Sequence, residues 1–376
     1  MKGVVFYNQH DVRYQTDVAE PQIEHPTQVK IKPRFCGICG SDLHEYEEGP
    51  ILFQCPRNLI SDKPYQQCMG HEMCGEVVAV GSAVTDIAVG DQVVVEATAL
   101  CIDRALLEQP GSELCEACAH GKTNACHQIS FVGLGFMGGG FAEYCVVDQY
   151  HCVKYNPAVI PNDIAALVEP LLVAWHAIEV AKVKPSHLAL VLGAGPIGLC
   201  VVLALKAQGL RHIVVLEPAP ARRVLAKLFG AVVYDPTLAA LVAELDEALR
   251  HMSAGGLGYD RAYDCLGIPV TFNCMVQSLR LGGVGTNVAI WPPRPVPLTV
   301  MDLTLRERFI VGLMCYTRAD FELVVAAFEA KKFHPEEVRQ LVTKVVPLPE
   351  TVSGGFDELL KNRAAHIKIL IDSGSG

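Results

Sequence analysis

The sequence predicts an α/β protein of two parts, a β-rich, barrel-like first half followed by a doubly wound parallel sheet. Three observations carry that prediction. Short apolar segments punctuated by Gly, Pro, Asn and Asp fill residues 1–168, the pattern of an antiparallel β domain with long loops. From Leu188 to Cys315 strand-like and helix-like patterns alternate, as a parallel sheet with crossover helices requires. At 376 residues and 51% hydrophobic composition the chain outgrows one core, since single cores stop growing near roughly 250–300 residues.

In chain order, strands are expected at 4–7, 28–33, 76–80, 92–96 and 143–147, where β-branched and aromatic residues sit between turn formers. The second part opens with a strand at 189–192 and a helix running to Gln208. A strand at 213–216, a helix to Phe229 and a strand at 231–234 follow. The series continues with a helix to His251, a strand at 261–265, a helix at 270–280 and a strand at 284–289. A helix at 320–331 and further mixed elements return the chain to the first part. The end, 373–376, reads as a flexible Ser-Gly tail.

Composition narrows the partners. The formal charge is −10, with no lysine or arginine run, which argues against nucleic acid or an anionic membrane surface and for a small molecule. Met1 to Phe6 runs directly into strand-like sequence with no signal-peptide core. No apolar run reaches the roughly 18 residues of a membrane span. The 15 cysteines include tight pairs beside single residues in apolar runs, such as Cys145, Cys200, Cys265 and Cys315. That spacing points to metal ligation and small buried hydrophobes in a reducing compartment such as the cytoplasm.

The apolar run 188–192 feeds into Gly193-Ala194-Gly195-Pro196-Ile197-Gly198, which opens an apolar helix. The glycines permit a tight turn, backbone approach to a pyrophosphate and close helix–strand packing, with phosphate at the helix N-terminus. Glu217, at the end of the next strand, suits the adenosine ribose hydroxyls and repels a 2′-phosphate, favouring NAD(H) over NADP. Arg222 and Arg223 pull the other way, because a guanidinium there could hold that phosphate.

Cys39-Gly40-Ser41-Asp42-Leu43-His44 and Gly70-His71-Glu72 offer a thiolate, an imidazole and a carboxylate close together. That is the donor set of an open, catalytic zinc site. Gly75, Gly81 and Val84 continue the second motif at spacings that suit a turn and close-packed strands.

Through this Gly-His-Glu pattern the chain resembles the zinc-dependent medium-chain alcohol and polyol dehydrogenases. The resemblance to their butanediol dehydrogenase branch runs through Ser41 to Tyr46, Gly49-Pro50-Ile51, Asn287 to Trp291 and Met301-Asp302-Leu303. It implies a GroES-like catalytic domain over 1–168 and 313–376 and a Rossmann NAD-binding domain over 169–312. It implies Cys39, His71 and Glu169, in Val168-Glu169-Pro170, as catalytic zinc ligands. Glu72 becomes an outer group or exchanging ligand, Asp42 orients His71, and Ser41 and His44 form a proton relay to water. Cys115, Cys118 and Cys126 match the last three ligands of a structural zinc lobe. The usual first ligand falls at Ser112, so Cys101 takes its place across an apparent insertion, 102–114.

The implied reaction is reversible, NAD-linked oxidation of a vicinal diol such as 2,3-butanediol to an acetoin-type hydroxyketone. Zinc and nucleotide sites meet at a domain cleft in this expectation, and the protein is a homodimer or homotetramer. A sorbitol, xylitol or threonine dehydrogenase, and a non-catalytic zinc-stabilised nucleotide-binding protein, are the alternatives. Residues 45–69, with Tyr46, Glu47, Glu48, Phe53, Cys55 and Cys68, are expected to contribute to the substrate pocket. Trp291 and Pro292 either wall the cleft or anchor a loop.

Overall fold

The computed structural model describes residues 1–53, 67–108, 113–239, 242–291 and 295–374. Cys55, Ser112 and Pro292, singled out above, lie outside them. The chain divides into two compact units. One comprises Met1–Glu169, Thr317–Glu329 and Val342–Gly376, and the other comprises Pro170–Tyr316 and Ala330–Leu341.

The first unit is built on a seven-stranded sheet. Its order is Val342–Pro347, Lys368–Asp372, Gln28–Gly37, Glu72–Val80, Gln92–Val95 and Cys152–Lys154, with Cys145–Asp148 also pairing with Gln28–Gly37. All pairs are antiparallel except Val342–Pro347 beside Lys368–Asp372. Alternate residues from these strands, including Val29, Ile31, Val77, Val93, Ile369 and Ile371, are buried in one core with Phe141 and Phe356.

The strand expected at 28–33 continues to Gly37 through Pro33. Proline removes a ladder donor, and the register shift between Pro33 and Phe35 absorbs that loss. The supposed tail is partly structural: Ser373 is buried and its hydroxyl donates to the Gly140 carbonyl at 2.6 Å.

The second unit holds six parallel strands in the order Val232–Tyr234, His212–Leu216, Leu188–Leu192, Tyr259–Asp264, Leu279–Asn287 and Phe309–Gly312. Strand order reverses at Leu188–Leu192, and at such a point α/β sheets bind ligands beyond the strands' carboxyl ends. Leu188–Leu192 is buried at every position, which explains its unbroken apolar run.

The expected C-terminal return at 313 begins instead at Thr317, and Ala330–Leu341 goes back to the second unit. Packing accounts for that excursion. Phe333 sits against Trp175 with ring centroids 5.9 Å apart, and Glu337 pairs with Lys206. Among the described residues no helix is long and apolar enough to cross a membrane.

Candidate metal and dinucleotide sites

The first candidate site starts at a helix N-terminus that the sequence pattern did not single out. Cys39 caps the nine-residue helix Gly40–Glu48, and Asp42, three residues on, accepts the Cys39 backbone N–H at 2.9 Å. This turn fixes the thiol's direction and places it where the helix dipole favours negative charge. Ser41 Oγ lies 3.7 Å from Cys39 Sγ.

His71 enters from the neighbouring segment, just ahead of the strand Glu72–Val80. Donor atoms of Cys39, His71 and Glu72 all lie within 4.8 Å of one another. His71 and Glu72 are buried, while Cys39 is half-buried.

Asp42 also serves His71. Asp42 Oδ1 and His71 Nδ1 face each other at 3.5 Å, and neither atom has a hydrogen-bond partner among the described residues. With Nδ1 directed at Asp42, Nε2 is the nitrogen left for a metal. Burial alone would push the imidazole pKa down, but the charges of Asp42 and Cys39 outweigh it and hold the ring well above its ordinary range. A metal must displace that proton on binding. The converging sulfur and nitrogen donors of Cys39 and His71 fit zinc.

Glu169 stands in the first turn of the helix Val168–Val180, half-buried and outside the 4.8 Å cluster. Glu72 is inside the cluster but already engaged. Lys368 Nζ donates to both of its carboxylate oxygens at 2.7 Å. Lys368 had no sequence signal, because it lies 296 residues from Glu72. His44 is exposed on the helix that carries Ser41, one turn further along.

The acids of the segment expected to contribute to the substrate pocket have different surroundings. Glu45 is buried and accepts the Ile51 and Leu52 backbone N–H groups, which shapes the loop after the helix. Glu47 pairs with Arg363 at 2.9 Å, and Glu48 is exposed. Phe53 stacks on Phe6 at 4.8 Å.

Four sulfurs form a second cluster. Those of Cys101, Cys115, Cys118 and Cys126 lie within 4.8 Å of one another, and all four residues carry free thiols. Backbone N–H groups of Cys101 and Gln128 point at Cys126 Sγ, and that of Cys115 points at Cys101 Sγ. Amide donors of this kind stabilise thiolates. Backbone N–H groups of Cys118 and His127 bring the Cys115 pKa down to about 6, while burial pushes the Cys118 and Cys126 thiols up. A tetrahedral thiolate-bound zinc fits this donor set.

In the second unit, Gly193 has φ +93°, and a Cβ at Gly198 would lie 1.9 Å from the Gly193 carbonyl oxygen. Only glycine permits that turn and that contact. Gly195 caps the twelve-residue helix Pro196–Ala207, with Pro196 at its first position. Gly195, Pro196 and Ile197 are the partly exposed members of the loop.

Glu217 is buried, and its two oxygens accept the Ala194 N–H at 2.8 Å and the Ala219 N–H at 2.7 Å. It therefore ties the glycine turn to the next strand's end, a role its position alone did not reveal. A Cβ placed on Gly195 would lie 3.9 Å from an Arg222 terminal nitrogen, so that guanidinium reaches the phosphate-loop side. Arg223 is committed elsewhere, to Asp235 at 2.8 Å and the Glu217 and Pro218 carbonyls. Trp291 is an anchor: its indole N–H donates to Asn287 Oδ1 at 2.7 Å and its ring meets Phe272 edge-on.

Comparison with known proteins matches most of the chain to two family models. Residues 25–158 match the alcohol dehydrogenase GroES-like domain, and 196–330 match the zinc-binding dehydrogenase domain. The chain is 42% identical to a probable (R)-acetoin-forming diacetyl reductase of Saccharomyces cerevisiae, over 99% of this chain and 90% of that one. It is 41% identical to an (R,R)-butanediol dehydrogenase of the same organism, over 99% and 98%. The crystal structure of 2R,3R-butanediol dehydrogenase from Bacillus subtilis superposes with a TM-score of 0.86 at 34% identity, covering 99% of both chains.

Proposed function

The chain belongs to the zinc-binding, GroES-like alcohol dehydrogenases, and from that premise we propose that it interconverts a vicinal diol, 2,3-butanediol, with the hydroxyketone acetoin. The observation that carries this reading is the convergence of Cys39 and His71 at the helix Gly40–Glu48, with Asp42 behind both. Full-length identity to enzymes named for butanediol and acetoin supports the substrate class.

Cys39, His71 and Glu169 hold the catalytic metal in this proposal. When bound, zinc supplies Lewis acidity at the substrate hydroxyl, and NAD supplies the hydride acceptor. Asp42 fixes the His71 ring through Nδ1. Ser41, beside Cys39, would accept the substrate hydroxyl's proton as it gives its own to His44, which releases one to solvent; the exposure of His44 supports that role. The loop Gly193 to Gly198 receives the pyrophosphate at the helix N-terminus, with Arg222 alongside and Glu217 bracing the turn toward the ribose.

Cys101, Cys115, Cys118 and Cys126 hold a structural zinc that braces a loop and takes no part in the reaction. The commitment of Glu45 and Glu47 to protein partners supports a small, partly apolar substrate over a sugar alcohol. A sheet edge at Phe309–Gly312 that is unpaired among the described residues, with Met301, Leu305 and Phe309 exposed, supports a homo-oligomer formed on that edge. Free thiols among the described cysteines support a cytoplasmic location.

NAD reduction, followed by absorbance with each 2,3-butanediol stereoisomer beside sorbitol, xylitol and threonine, tests the proposal. Strong preference for one butanediol isomer is expected. Preference for a long polyol or for threonine would overturn the substrate, and no turnover by protein loaded with zinc and NAD would overturn the reaction.

A further inference from the structure

In the second unit the helices Val242–Met252 and Pro269–Ser278 share one core with the sheet, through Leu249, Met275 and Val276. Between them lies a cavity of about 140 Å³ with mostly apolar walls. Val270, Cys274 and Gln277 recur along one wall at helical spacing, and Leu245 and Leu249 form the other. Its volume is close to the roughly 150 Å³ of an apolar cavity that takes up benzene.

Where the second helix ends, this cavity adjoins a cleft of opposite character. Asp246, Leu249, Gln277 and Ser278 line both, and the cleft adds Arg250, Arg306 and Arg308. The three guanidiniums are not equivalent. Arg250 Nε donates to Asp246 at 2.9 Å. Arg308 donates to the Leu279, Gln277 and Asp302 carbonyls at 2.8, 2.9 and 3.2 Å. Arg306 is exposed and has no partner among the described residues. Burial, and next the charge of Arg306, hold the Arg308 pKa below its ordinary range, with Arg250 adding to them and Asp302 and Asp246 opposing. Asp246 is already taken by Arg250, so positive charge is in excess at the mouth of an apolar cavity.

This place is separate from the glycine turn. Tyr259, Leu279 and Phe309 each begin a strand beside the cleft, whereas Gly193 follows the end of Leu188–Leu192. The strands are parallel, so cleft and turn lie at opposite ends of the sheet.

We propose that cavity and cleft form one binding site for a small amphiphilic carboxylate. An apolar chain of about six carbons lies between the helices, and the carboxylate pairs with Arg306, with Arg250 and Arg308 adding to the field. The apolar walls select the chain and the guanidiniums select the anion. The site stands independently of the metal and dinucleotide sites.

Isothermal titration of hexanoate into full-length protein loaded with zinc and NADH tests it. One site per chain is expected. Arg306→Gln, which removes the free charge, and Cys274→Phe, which fills the cavity, should each weaken hexanoate binding about tenfold and leave diol turnover at the wild-type rate. Inorganic phosphate, with charge but no chain, should bind at least about tenfold more weakly than hexanoate. No binding of hexanoate, unchanged affinity in Arg306→Gln, or phosphate binding as tightly would each overturn the proposal. So would displacement of hexanoate by acetoin, which would place it at the catalytic centre. If Cys274→Phe fails to fold, Arg306→Gln, at an exposed position, decides the question by itself.

Discussion

His151 Nε2 lies 2.7 Å from Asp103 Oδ1, with both side chains buried. His151 Nδ1 is 2.7 Å from the Glu96 carbonyl, so a doubly protonated ring satisfies both contacts. Asp103 Oδ2 accepts the Leu100 N–H and fixes the turn that starts the Cys101 helix. The pair thus links the core of the first unit to the displaced cysteine.

Burial lowers the His151 pKa, but Asp103 outweighs it and the group is pushed up to about 9. A folded-state value above the unfolded one, about 6.5, means the stabilisation is complete below that lower value. It is lost as pH rises through about 9. The Tm difference between wild type and His151→Gln should therefore be largest near pH 6 and shrink toward pH 10. Thermal unfolding across that range checks it, and a difference independent of pH would count against a charged His151.

Replacing Cys101 by serine removes one of four converging sulfurs. Metal content should fall by one ion per chain and Tm by roughly 5 °C or more, with the reaction type retained. Retention of two zinc ions in that variant, measured by elemental analysis, would take Cys101 off the ligand set.

The close contact between Gly198 and the Gly193 carbonyl makes Gly198→Ala a test of the dinucleotide turn. The helix start must move, at a cost of roughly 1–3 kcal/mol or more. NADH affinity, followed by fluorescence titration, should fall about tenfold or more, while metal content holds. Unchanged affinity would place the pyrophosphate away from this loop.

The parts of this protein legible in sequence were those with a local signature. Gly193 to Gly198 followed an unbroken apolar strand, and Cys115, Cys118 and Cys126 stood in fixed spacing. Cys101 was implied only by the resemblance, which expected a first ligand where Ser112 stands, and the structure brings its sulfur to the other three. Long-range partners left no such trace: Lys368 meets Glu72, and Arg318 meets Glu96 and the Tyr150 carbonyl, only through strand register and packing. The capped helix Gly40–Glu48 was missed because its mean hydropathy is low and its cap is a cysteine, which is not among the preferred capping residues. Glu217 was legible in position but not in its bonds, since accepting the Ala194 and Ala219 N–H groups depends on how two turns meet.

His44 is exposed one helical turn beyond Ser41, whose hydroxyl lies 3.7 Å from Cys39 Sγ. His44→Gln should slow alcohol oxidation most at low pH, where proton release to water is least favourable, and spare zinc content. A pH–rate profile parallel to wild type would remove His44 from the relay.

Cofactor choice turns on whether Arg223 is available. Its guanidinium is held by Asp235 at 2.8 Å and by the Glu217 and Pro218 carbonyls, beside the strand end where an adenosine 2′-phosphate would lie. The Asp235 carboxylate, itself held below its usual pKa by Thr237 and then Arg223, stays ionised across the neutral range. Asp235→Ala removes the anion that occupies the arginine and leaves Glu217 in place. The NADP-to-NAD ratio of kcat/KM should rise about tenfold, mostly through a lower KM for NADP. Glu217→Ala should act differently, weakening both cofactors, because it unties Ala194 and Ala219 as well as removing the charge. If Asp235→Ala leaves the ratio unchanged, the two carbonyls alone hold Arg223 and discrimination lies with Glu217.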